Sequence, residues 1–136
     1  VSKFTRSLVQ THAEATKLLE KLNHARLVGF DTESSGPLLI DQRDQTKTRD
    51  FINVYKSTMT GFSLAFDDHT SYYVPAAHRR GASLGAEDVA NLHDALSYVP
   101  MVVAHNVKHE LHALKRDTYV AGRKRWGWLD TQLIAW

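Results

Sequence analysis

Four apolar residues, Leu27-Val28-Gly29-Phe30, run directly into Asp31-Thr32-Glu33. A short apolar run that stops at polar sequence reads as a buried strand. Side chains alternate along a strand, so Asp31 and Glu33 share a face. The chain must therefore fold so that a buried strand presents two carboxylates together at its carboxyl edge. Such a pair repels itself unless a proton or a cation intervenes. Oxygen-rich sites of this kind suit Mg²⁺ or Mn²⁺, and open α/β sheets bind ligands at that edge. Asp-x-Glu also occurs as plain surface carboxylates at a strand end, so the rest of the chain has to decide.

Thr11 and Glu14 have the spacing of a capping box. Ala15, Leu18, Leu19 and Leu22 then repeat as one face of an amphipathic helix over 12–24. Residues 41–50 are polar and aperiodic and read as a loop or insertion. Thr58–Phe66 and Ser71–Val74 are rich in strand formers, and Asp67-Asp68-His69 between them suggests a hairpin. Val89, Leu92, Leu96 and Val99 mark a second helix, stopped by Pro100. Met101–Ala104 is a compact strand-like run, and Val107, Leu111 and Leu114 predict a third helix. Three strands, a helix, a strand and a helix, after a leading helix, predict a mixed α/β sheet domain.

The 136 residues suit one domain and are too few for two. Without a single Cys, disulfide scaffolds, thiolate metal sites and Cys nucleophiles are excluded. No stretch approaches the roughly 20 apolar residues of a membrane span, so no membrane partner is expected. The net charge of +2 does not by itself argue for nucleic acid. The charge is uneven, however. Lys108, Lys115, Arg116, Arg123, Lys124 and Arg125 are opposed locally only by Glu110 and Asp117. A basic segment beside acids suits phosphate handling, and equally a solvated helix end and loop.

Met101 to Leu111 reads as strand, turn and helix, with Asn106 as a favoured N-cap residue. On a helical wheel Glu110 lies roughly 67° from the centre of the Val107/Leu111/Leu114 stripe. It flanks the buried face and could project over the sheet edge. A solvent-facing Glu favoured by the helix dipole is the other reading.

Five segments then fall in one order: Gly29-Phe30-Asp31-Thr32-Glu33, Gly61-Phe62-Ser63-Leu64-Ala65-Phe66, Tyr72-Tyr73-Val74-Pro75, Ala104-His105-Asn106-Val107-Lys108 and Leu129-Asp130-Thr131. This set, over roughly residues 27–136, resembles the 3′–5′ exonuclease domain of family A DNA polymerases, in the DnaQ-like, RNase H-like superfamily. The resemblance implies an RNase H-like mixed β-sheet flanked by helices. It implies that Asp31, Glu33 and Glu110 hold two divalent ions, Mg²⁺ or Mn²⁺, with Glu110 standing where the family usually has Asp. It implies that Thr32, Pro37, Leu38, His105, Asn106 and Lys108 line a single-stranded DNA 3′ end, with Pro37 and Leu38 against the terminal base, while core packing of Leu38 is an equal alternative. Asp130 matches a family Asp read as structural. The implied chemistry is two-metal hydrolysis that releases nucleoside monophosphates. A polymerase domain in the parent chain and a cytoplasmic setting in a bacterial or phage-infected cell go with it.

The family's third motif, with its final acid, has no counterpart before Trp136. The 136 residues are therefore expected to be the amino-terminal portion of a longer domain, inactive or weak alone. Two other readings stay open: a non-catalytic DNA-binding or structural module, and an exoribonuclease of the RNase D type. His109-Glu110-Leu111-His112 lacks the zinc-protease spacing by one residue. His105, His109 and His112 read as surface or capping histidines. Arg79-Arg80-Gly81 and Arg123-Lys124-Arg125 read as basic loops or phosphate contacts, and Trp126 and Trp128 as core residues.

Overall fold

A computed structural model describes residues 3–40, 48–52, 56–114 and 127–134. Eight strands and four helices are present in these residues. In chain order they are β1 (Thr5–Leu8), α1 (His12–His24), β2 (Leu27–Ser35), β3 (Leu38–Ile40), β4 (Thr48–Ile52) and β5 (Thr58–Ala65). There follow β6 (Thr70–Pro75), α2 (Ala86–Leu96), β7 (Met101–Ala104), α3 (Val107–Ala113), β8 (Gly127–Asp130) and α4 (Thr131–Ile134).

Six strands form one mixed sheet in the order β1-β6-β5-β2-β7-β8. β5 is antiparallel to both β2 and β6, while β7 is parallel to β2 and to β8. It follows that β2, β6, β7 and β8 all end at the same edge. The short pair β3–β4 stands apart as a second sheet.

Alternation decides which face is covered. Val28, Phe30, Phe62, Leu64, Val74 and Val102 are all buried and point to one face. There they join Ala15, Leu18 and Leu22 of α1 and Leu92, Ala95 and Leu96 of α2 in one core. Trp128 packs against that core with its ring edge-on to Phe30. Burying a side chain of Leu or Phe size contributes about 1.5–3 kcal/mol each. The other face carries Gly29, Asp31, Ser63, Ala65, Tyr73 and Val103, none of them fully buried.

The expected α/β class and mixed, helix-flanked sheet are what the chain forms. The capping box is complete, with Glu14 accepting from the Thr11 amide and the Thr11 hydroxyl from the Glu14 amide. Other details differ. β2 runs on to Ser35, so Asp31 and Glu33 lie within the strand, not at its end. Helix α2 stops at Leu96, four residues short of Pro100, because Ser97 closes it by bonding back to Asp94. Residues 48–50 of the expected loop belong to β4, and 41–47 lie outside the described residues. β1, β3 and β8 were not expected.

Helix α3 is turned from the predicted stripe. Its buried residues are Glu110 and Ala113, while Val107, Leu111 and Leu114 are only half-buried. The pattern pointed to the apolar residues as the inner face. The fold instead buries a carboxyl.

Candidate functional site

β2 pairs with β7 only as far as Gly29–Val103. Beyond that point its outer edge has no β7 neighbour. Helix α3, which follows β7, fills the space and brings Glu110 against Thr32. Glu110 is only 2 % exposed. One of its carboxyl oxygens, Oε2, is buried without a hydrogen-bond partner, as is the Thr32 hydroxyl.

This environment raises the Glu110 carboxyl from 4.5 to about 7. Burial is the largest cause. The Thr32 hydroxyl and main chain, which lie alongside, pull the value down, and the charges of Asp31 and Glu33 push it up again. Two carboxylates on the strand therefore act on the buried one beside it. Asp31 and Glu33 are exposed on the open face, as alternation requires. The Thr60 hydroxyl donates to the Glu33 carbonyl at 3.1 Å and ties β5 to the strand where its register shifts.

The start of α3 is set by a residue distant in sequence. Asn106 adopts a left-handed conformation (φ 60°) and its side chain caps nothing. Asp130, at the end of β8, accepts from the amides of Asn106 at 2.9 Å and Val107 at 3.0 Å. It also accepts from the Gln132 amide. Its burial opposes ionisation, but the amides of Gln132, Val107 and Asn106 together hold its pKa below the usual value. Asp130 thus does the capping expected of Asn106. His105 Nδ1 lies 3.1 Å from the Thr131 hydroxyl, which also donates to the Ala104 carbonyl.

The expected substrate-lining residues are partly gathered. A shallow groove of about 370 Å³ runs over the open face past Gly29, Asp31, Ser63, Val103 and His105. Lys108 is exposed and borders a second hollow of about 490 Å³ with Leu111, Trp128 and Leu133. Pro37 is exposed just beyond β2. Leu38 opens β3, and its side chain lies outside the described residues, as do Lys115, Arg116, Arg123, Lys124, Arg125 and Trp126.

Hard oxygen donors and one orphaned buried carboxyl oxygen fit a divalent cation chemically. The placement is more open than a closed site. Among the described residues no three His, Asp or Glu side chains enclose one point.

Sequence reasoning missed the Tyr73–His78 pair. Tyr73 lies on the face that carries Asp31 and Glu33, and its hydroxyl is 2.7 Å from His78 Nε2. The ring lies over Gly61, the cross-strand neighbour of Glu33. The signal was present as a His three residues after Tyr-Val-Pro.

Solved structures share this architecture. The EXO domain of Aedes aegypti Nibbler aligns over 99% of this chain and 56% of its own, at 15% identity and TM-score 0.63. RNase D of Trypanosoma brucei aligns over 98% and 40%, at 18% identity and TM-score 0.65. It is also known in complex with RNA U12. The EXD2 exonuclease domain, soaked in Mn and GMP, aligns over 96% and 58%, at 18% identity and TM-score 0.53. This chain thus spans between 40% and 58% of the length of these three structures. No protein-family model and no curated protein matches the sequence. The chain has the RNase H-like fold of 3′–5′ exonuclease domains.

Proposed function

We propose that this chain belongs to a 3′–5′ exonuclease that removes nucleotides from single-stranded ends by metal-dependent phosphodiester hydrolysis. The observation that carries it is Glu110, a buried carboxyl with an orphaned oxygen, set beside Asp31 and Glu33 at the edge of an exonuclease-type sheet. Asp31, Glu33 and Glu110 would hold the divalent ions. Bound ions of this kind supply Lewis acidity for the attacking water, the leaving oxygen and the phosphate charge. The residues of the chain do the rest. Thr32 lies alongside Glu110, and Asp130 holds the start of the helix that carries it. The groove past Ser63 and His105 would take an extended strand on the open face, and Lys108 borders the other hollow.

Two finer readings are distinguishable. The ordered motifs, above all Tyr72-Tyr73-Val74-Pro75, favour proofreading on DNA beside a polymerase domain. The RNase D neighbour and its RNA complex favour an exoribonuclease.

The test is single-turnover digestion with protein in excess, using matched 5′-labelled DNA and RNA strands and Mn²⁺. Stepwise shortening from the 3′ end is expected. Asp31→Ala should slow it by at least about 100-fold, a loss of several kcal/mol in transition-state stabilisation. Binding without shortening, in this chain and in any longer chain containing it, would leave a non-catalytic module. The faster of the two strands assigns the substrate.

A further inference from the structure

The loop that follows β6 has no role in the chemistry above, yet it is built firmly and ends up beside the site. Pro75, the last residue of β6, is level with Gly61 and, through it, with Glu33. Two strand spacings separate Pro75 from Glu33, about 10 Å. β6 is parallel to β2, so residues 76–84 emerge at the same sheet edge as the three acids.

Both flanks of this loop are held by hydrogen bonds. The amides of Ala76 and Ala77 donate to the Thr60 carbonyl at 2.8 and 2.9 Å, and Leu84 N donates to the Pro75 carbonyl at 2.7 Å. The His78 amide donates to the Ser83 hydroxyl at 2.9 Å. Gln10 reaches from outside to the Ala82 carbonyl at 2.9 Å. Gly81 makes the reversal at φ +88°, a conformation that disfavours a side chain. The Tyr73 hydroxyl anchors the His78 ring from within the sheet. Tyr73 is itself close enough to Glu33 for burial and that carboxylate together to raise its pKa.

At the tip, Arg79 and Arg80 are exposed, and neither forms an ion pair with a described residue. Three carboxylates repel a polyanionic strand. A strand that reaches them needs cations along its path, and a pre-ordered loop offers them at little entropic cost.

We propose that the loop 76–84 is a backbone-binding subsite, in which Arg79 and Arg80 take sugar-phosphate groups of the strand whose end lies at Asp31, Glu33 and Glu110. This rests on the exonuclease reading for the identity of the strand, but its test does not depend on turnover.

Anisotropy of a 5′-fluorescein single-stranded 12-mer is followed in EDTA over a range of salt. Each phosphate contact on a single strand contributes about 0.7 to the slope of log K against log salt. Replacing both arginines, R79A/R80A, should therefore flatten the slope by about 1.4 and weaken binding about 25-fold at 0.1 M salt. R79K/R80K should keep the wild-type slope. Tyr73→Phe keeps both charges and releases the anchor, so it should weaken binding by about threefold, the scale of one side chain's ordering, at an unchanged slope. An unchanged affinity and slope in R79A/R80A overturns the proposal, and so does a wild-type chain that fails to bind. If the wild type digests the strand while R79A/R80A binds as before, only the subsite falls. If the arginines carry binding and no digestion occurs with Mn²⁺, only the nuclease reading falls.

Discussion

Glu110 carries the most information of any residue in the chain. A carboxyl raised to about 7 in the folded protein and near 4.5 in the unfolded chain binds more protons when folded across that interval. Metal-free protein should therefore be most stable below about pH 4.5 with respect to this group, and should lose stability as pH rises toward 7. The loss is at most roughly 3 kcal/mol. Urea unfolding at pH 5 and pH 8 in EDTA checks it, and Glu110→Gln, neutral at both, should remove most of the difference. An equal pH dependence in wild type and Glu110→Gln would place the charge in solvent instead. Saturating Mn²⁺ should reverse the trend in the wild type, since the cation favours the ionised form.

At the scale of elements, positioning is done by groups distant in sequence. Asp130 caps α3 across 24 residues, so Asp130→Ala should lower the melting temperature and, by letting α3 fray, reduce turnover more than strand affinity. Gly61 permits Tyr73 to lie across the sheet. A Cβ there would collide with the Tyr73 hydroxyl and meet the Val74 carbonyl at 2.9 Å. Gly61→Ala should cost about 1–3 kcal/mol by overpacking, measurable by denaturation, and should loosen the His78 anchor. These elements also mark how far the sequence could be read. α1, β5, β6 and β7 follow from capping and period, because their own residues decide them. The inward turn of Glu110 does not, because the tertiary space left where β7 departs from β2 overrides the apolar stripe of α3. The αL conformation of Asn106 and the cap from Asp130 are likewise settled by contacts that no local pattern encodes. β1 escaped notice because Thr5-Arg6-Ser7-Leu8 is polar and exposed, and is held by pairing with β6.

For the whole molecule, the strand order gathers the chemistry. Five strands of the sheet run in one direction, and those that end at this edge bring there Asp31 and Glu33, the loop after Pro75, and the turn into α3. The acidic pair was legible as a motif. That Glu110 packs in at the strand's unpaired edge, and that the loop carrying Arg79 and Arg80 leaves β6 at the same sheet edge, required the topology. Among the described residues no helix is long and apolar enough to cross a membrane. The proposed function needs Asp31, Glu33 and Glu110 to act as one cation-binding unit, although their carboxylates enclose no common point. Electron paramagnetic resonance of Mn²⁺ titrated into this chain measures that binding. Saturable binding is expected in the wild type and is expected to be lost in both Asp31→Ala and Glu110→Gln. No saturable binding by the wild type, or binding that both variants retain, would rule the shared site out.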